Sequence, residues 1–234
     1  MIERSGGLPI RIEAPWGATI PIEALEQELA RSAPVKALVL VHAETSTGAL
    51  QPLEDVGALC RAHDALLIVD AVTSLGGIPV EVDTWGIDAC YSGTQKCLSC
   101  PPGLAPLTVS PRGMGAIRQR RAPCHSWYLD LSLIADYWND HSRAYHHTAP
   151  ISMLYGLREA LRLVHEEGLP ARAARHQINS DALMAGLRTL GLNPLPPPGH
   201  RLPMLNCVTL PDGIDEATMR TQLLQQYGIE IGGG

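Results

Sequence analysis

Residues 65–70 read Ala65-Leu66-Leu67-Ile68-Val69-Asp70, an apolar run that ends on a carboxylate and passes into Ala71-Val72-Thr73-Ser74-Leu75-Gly76-Gly77. A short continuous apolar run bounded by polar and glycine-rich residues reads as a strand buried on both sides. Working outward, residues 35–42 (VKALVLVH) form a second such strand, 89–93 a third and 104–109 a fourth, with helical spacing over 52–63. Apolar strands separated by helices predict an α/β fold, a mostly parallel sheet with helices on both faces. Helices are also predicted over 22–31, 151–167, 171–190 and 215–227; Gly168, with Pro170 just beyond, is read as a helix stop. Residues 193–203 are proline-rich and read as a stiff linker. The tail reads strand (206–210), helix (215–227), short strand (229–231), the pattern of a second, smaller α+β unit.

Composition narrows the function classes. The chain has 234 residues, 18 Lys+Arg against 24 Asp+Glu and a net charge of -6. With 45% hydrophobic and 18% charged residues it is a folded chain, and the absence of Phe leaves Leu, Val, Ile and Ala to fill the core. No basic excess supports nucleic-acid binding, and Arg118-Gln119-Arg120-Arg121 reads as a solvated helix end. No run approaches the ~20 apolar residues that cross a bilayer, and the N-terminal residues do not read as a secretion signal. The six scattered cysteines (60, 90, 97, 100, 124, 207) read as free thiols in a reducing compartment, so a cytoplasmic protein is expected.

Two features carry chemistry. Asp70 closes a hydrophobic strand at the end where open α/β sheets bind ligands. Such a carboxylate needs a cationic or hydrogen-bonding partner, either a protonated heteroaromatic nitrogen or the backbone of the next turn, which it would cap. In Tyr91-Ser92-Gly93-Thr94-Gln95-Lys96, a strand end leads through a small polar turn to a lysine. A partly desolvated lysine loses its proton more readily and condenses with an aldehyde, and Thr94 and Gln95 offer donors for a phosphate beside it; a surface lysine is the rival reading. A strand-end Asp followed in the next strand–turn unit by Ser-Gly-x-x-Lys is the pairing that pyridoxal 5'-phosphate chemistry requires. His42-Ala43-Glu44-Thr45-Ser46-Thr47-Gly48 adds hydroxyls in a turn, as ring-oxygen donors or as turn caps.

With these stretches on the page, the sequence resembles the class V, fold-type I pyridoxal-phosphate aminotransferases of the alanine/serine–glyoxylate branch. The matching segments are 42–48 with Gln51-Pro52-Leu53, 68–77, Gly86-Ile87-Asp88, 92–98, Tyr145-His146-His147-Thr148 and Tyr227-Gly228-Ile229-Glu230-Ile231. The resemblance implies that Lys96 holds the cofactor covalently and that Asp70 partners the pyridine nitrogen. It implies that Val72 packs on the ring, Thr45 lies near the ring oxygen and Gln95 contacts the phosphate. Tyr145 and Thr148 correspond to groups that reach the phosphate of a neighbouring subunit, so a homodimer is implied, with His146-His147 in a structured turn at its interface. Neither this pair nor Cys97-x-x-Cys100 has the ligand count of a metal site, and no metal is expected. Relatives that use ureidoglycine share Thr-Gln-Lys-Cys-Leu-Ser but carry Asn where this chain has Tyr145, which tilts the expected amino donor towards alanine or serine.

The expected division is a cofactor-binding large domain over 1–165 and a smaller C-terminal domain over 166–234. The family's glycine-rich phosphate loop, its ring-stacking aromatic and its substrate-carboxylate arginine have no counterpart here, so the chain reads as cut at both ends. The expected substrates are a small amino acid and a 2-oxo acid, with glyoxylate as acceptor. Rival readings are a non-catalytic remnant of the fold, a ureidoglycine–glyoxylate aminotransferase, and another class V reaction such as desulfuration, for which Cys97 and Cys100 are the only nearby thiols.

Overall fold

A computed structural model describes residues 2–138 and 144–233. Helix α1 (Ile22–Arg31) turns Leu25 and Leu29, one helical turn apart, into the core. The chain then enters β1 (Ala37–Val41) and makes a short antiparallel pair, β2 (Ala43–Glu44) with β3 (Ala49–Leu50). Helix α2 (Val56–Ala62) leads to β4 (Leu66–Asp70), followed by β5 (Ala89–Tyr91) and β6 (Leu107–Val109). The main sheet runs β1-β4-β5-β6; the first three strands are parallel and β6 is antiparallel to β5. The mostly parallel α/β architecture is the one expected from sequence. The last strand reverses because residues 92–106 contain no crossover helix, and without one a parallel return cannot be made.

The core lies on one face of this sheet. Leu25 and Leu29 of α1 and Val56 and Cys60 of α2 pack with Leu38, Leu40, Leu67, Val69 and Cys90. On the other face Val39 and Val41 remain 47% and 42% exposed. Burial alternates along β1, and on the same face Leu66 and Ile68 of β4 are half-buried, so among the described residues the second face is covered in part and is open at β1, where full cover was expected. The strands looked doubly buried because apolar residues occupy both faces, whatever covers them.

A buried carboxylate pins the N-terminal ends of the strands. Asp88 accepts hydrogen bonds from the Leu67 N–H (2.9 Å), the Ser110 hydroxyl (2.9 Å) and Arg112 Nη1 (2.8 Å), while Arg112 Nη2 donates to the Ala65 carbonyl (2.8 Å). Burial of this charge is tolerated because its oxygens are saturated and its counter-ion is adjacent. Just past the C-terminal end of β1, His42 is buried edge-on to Trp85, and burial pushes its pKa down to about 4, so the ring is neutral at physiological pH.

Sequence spacing did not reveal α3 (Pro111–Arg118) or α4 (Leu131–Tyr137), short helices capped by the side chains of Ser110 and Asp130. The basic run at 118–121 does lie at the exposed end of α3, with Arg120 paired to Asp130 at 3.2 Å. Helix α5 (Ile151–Glu167) stops at Gly168, but α6 (Leu169–Thr189) begins at once and takes Pro170 into its first turn, so Pro170 opens a helix and does not close one. The 193–203 stretch is not a free linker. It contains β7 (Asn193–Pro194), which pairs with β8 (Val208–Thr209), and it docks on β3 through Leu50 N–H to His200 O and Leu202 N–H to Gly48 O. Helix α7 (Glu216–Tyr227) follows, ended by Gly228 in the left-handed region; residues 229–231 form no strand, contrary to expectation. Among the described residues no helix is long and apolar enough to cross a membrane.

Candidate active site

Strand register sets the site. Val41, Asp70 and Tyr91 are side by side at the C-terminal ends of β1, β4 and β5, and the connections leaving these strands meet there. The ladder continues past the strands, His42 N–H to Asp70 O (2.9 Å) and Ala71 N–H to Tyr91 O (2.8 Å). Asp70 Oδ1 accepts from the Val72 N–H at 2.9 Å, closing the turn, and Oδ2 accepts from the Tyr91 hydroxyl at 2.7 Å. Asp70 thus makes the backbone bond of a turn cap while one oxygen faces a side chain at the sheet edge. Tyr91 stays protonated as a donor, because burial, together with the carboxylate beside it, pushes its pKa up to about 12.

Three connections are joined at Thr73. Its hydroxyl lies 2.5 Å from that of Thr45, after β2, and its carbonyl accepts from the Cys97 thiol at 3.2 Å, next to Lys96. Burial raises the pKa of Cys97, so the thiol is held as a donor. The loops touch because glycines allow it: a Cβ at Gly77 would lie 2.7 Å from Cys97 Sγ, and Gly76, at φ +85°, packs on Leu98. Ser92 adds a bond from its hydroxyl to the Ala71 carbonyl (3.0 Å). Lys96 is half-buried in a tight turn closed by Ser99 N–H to Lys96 O (2.9 Å).

The structure therefore brings together, at the C-terminal ends of the strands, the loops that carry Asp70, Val72, Thr45, Gln95 and Lys96. Gln95 is exposed with its carboxamide folded over Gly93, where a Cβ would meet Oε1 at 2.6 Å. Thr94 departs from the sequence expectation: it is 0% exposed and its hydroxyl donates inward to the Pro101 carbonyl at 2.6 Å, so it shapes the turn and does not face a phosphate. Tyr145 and Thr148 lie apart on an exposed segment, hydroxyl to hydroxyl at 2.5 Å. The segment between them forms no turn and is held by aromatic contacts: His146 stacks on Trp127 (centroids 4.1 Å, 10°) and its Nδ1 lies 2.7 Å from that of His147. Sequence reasoning gave no role to Tyr91 or Thr73. Tyr91 was detectable in principle, since it opens the motif that leads to Lys96; Thr73 joins loops distant in the chain and left no local signal.

A ring bearing a protonated nitrogen, an aldehyde and a phosphate fits these residues. Asp70 is an acid anchored through both oxygens at the open strand end, and Val72 is a half-buried apolar group beside it. Lys96 is an amine on the adjoining turn, with a flexible amide next to it.

Comparison with known proteins identifies the fold and the family. The fold is that of the fold-type I pyridoxal-phosphate aminotransferases: the chain superposes with a TM-score of 0.95 on alanine–glyoxylate aminotransferase from Nostoc sp., at 47% identity, covering 99% of this chain and 61% of that one. It also superposes with a TM-score of 0.92 on ureidoglycine–glyoxylate aminotransferase from Bacillus subtilis, at 45% identity, covering 98% of this chain and 59% of that one. The family model for aminotransferase class-V matches residues 2–234, and the chain belongs to that family. Among curated relatives it is 42% identical to (S)-ureidoglycine–glyoxylate transaminase of Bacillus subtilis, covering 98% of the chain and 59% of the relative. It is 40% identical to alanine–glyoxylate aminotransferase of Callithrix jacchus, covering 93% of the chain and 53% of the relative. The chain thus spans somewhat more than half the length of these relatives.

Proposed function

We propose that this chain supplies the cofactor-bearing part of a pyridoxal 5'-phosphate-dependent aminotransferase that passes an amino group to glyoxylate, with alanine or serine as donor. The observation that carries the reading is the joining of the Asp70 strand end to the Lys96 turn through Thr73 and Cys97. The cofactor supplies an aldehyde for covalent capture of amines and a ring that withdraws electrons once its nitrogen is protonated. Asp70 keeps a proton on that nitrogen by offering it a fixed negative charge. Lys96 would hold the group through its amine, and as a free amine it would move the proton at the substrate's α-carbon. Val72 would pack against the ring, Thr45 would donate towards its oxygen and Gln95 towards its phosphate, while Tyr145 and Thr148 would reach the phosphate in a second copy of the chain, in a homodimer.

A panel of amino donors offered with glyoxylate, read as glycine formed, distinguishes the substrates. Tyr145 favours alanine or serine over ureidoglycine. The 42% identity to a ureidoglycine–glyoxylate transaminase supports the second reading, in which ureidoglycine is the donor. The assignment itself is tested by adding pyridoxal phosphate, trapping with borohydride and mapping the modified peptide. Wild type is expected to carry the label on Lys96 and Lys96→Ala to carry none. A label elsewhere, or one that survives Lys96→Ala, rejects the assignment.

A further inference from the structure

Helix α6 sends one arginine into the loops of the candidate site. Arg172 is 8% exposed, and its guanidinium donates from Nε to the Gly76 carbonyl at 2.8 Å and from Nη2 to the Cys97 carbonyl at 2.6 Å and the Ser99 hydroxyl at 3.2 Å. The remaining Nη1 donates to Glu167 at 2.9 Å, and Glu167 is also paired with Arg175. Gly76 lies in the first part of the connection that leaves Asp70, and Cys97 follows Lys96 directly in the chain. One rigid, planar donor fork therefore grips the backbone of both loops, each far from residue 172 in sequence. We propose that Arg172 is a positioning residue: it fixes the Lys96 turn relative to the Asp70 loop and so sets where the amine stands with respect to the cofactor ring. The inference rests on the cofactor reading above.

Three features argue for positioning over simple packing. Both carbonyls lie on turns that carry site residues, and neither turn has a regular element to hold it. The fork geometry is specific to arginine, since an ammonium cannot reach divergent acceptors with the same fixed angles. The counter-charge comes from Glu167 at the end of α5, so the guanidinium is neutralised without drawing on Asp70. Misplacing a reacting group by about 1 Å costs up to ~100-fold in function, so a clamp at this point has leverage that its distance from the chemistry conceals.

The test compares wild type with Arg172→Gln, Arg172→Lys and a control, Arg112→Gln, which removes a half-buried arginine that also bonds a carboxylate and a backbone carbonyl, at the opposite ends of the strands. Three quantities are read: amide hydrogen exchange of residues 71–77 and 95–99, the dissociation constant for pyridoxal phosphate, and the pH midpoint of the visible absorption of the bound cofactor. Arg172→Gln is expected to speed exchange in both loops while leaving β1 and β4 as in wild type. It should also weaken cofactor binding about tenfold and move the pH midpoint. Arg172→Lys should recover part of each effect. Arg112→Gln should lower the thermal midpoint and leave the affinity and pH midpoint unchanged. Unchanged exchange in either loop with Arg172→Gln overturns the clamp. So do equal effects of Arg172→Gln and Arg112→Gln on the pH midpoint, which would reveal a general loss of stability. A wild-type chain that binds no pyridoxal phosphate overturns the function proposed above, and the role of Arg172 towards that cofactor with it. Wild-type binding that Arg172→Gln leaves intact overturns the clamp alone.

Discussion

Asp70 and Tyr91 show how one side chain prepares another. The hydroxyl at 2.7 Å holds Oδ2 in a fixed direction, and the Val72 N–H holds Oδ1, so the carboxylate is oriented before any ligand arrives. A hydrogen bond to a charged acceptor contributes ~1.5–3 kcal/mol, less where water competes, as it does at this exposed tyrosine. Tyr91→Phe should therefore leave the thermal midpoint nearly unchanged and weaken pyridoxal phosphate binding several-fold, read by spectroscopic titration. Affinity equal to wild type would show that the cofactor takes over both oxygens unaided. At this scale the sequence was informative about identity and poor on direction. Asp70 and Lys96 announced themselves by residue type at strand ends, whereas Thr94 read as a phosphate donor because composition does not say which way a hydroxyl in a turn points.

Helices and strands were legible where a periodic pattern met a strong boundary. Helix α1, with leucines one turn apart, and α5, closed by Gly168, were predicted to the residue. The short helices α3 and α4 were missed, since each is held by a side-chain cap and by tertiary contacts more than by its own pattern. Antiparallel β6 and the docked 193–203 segment depend on contacts distant in sequence, which local reading cannot supply. Helix α2 illustrates how close such contacts are. A Cβ at Gly57 would lie 1.9 Å from the Trp85 carbonyl, a backbone atom that cannot rotate away. Gly57→Ala should cost ~3 kcal/mol despite its better helix propensity, measured by urea denaturation. A neutral or stabilising result would mean that α2 slides on the 85–86 turn without loss.

For the molecule as a whole, the order of apolar and helical segments gave the α/β class. It misjudged how the sheet is covered, because identical residues serve a face that is packed and a face that is not. The open face set out by Val39 and Val41 has a consequence for handling the protein. Attraction between apolar surfaces strengthens on warming, so molecules should begin to adhere to one another while their secondary structure is intact. Light scattered by a heated sample should thus rise before the ellipticity falls. A cation placed at that surface by Val39→Lys should bring the two events together, and simultaneous onset in the unmodified chain would show that this surface does not drive clumping.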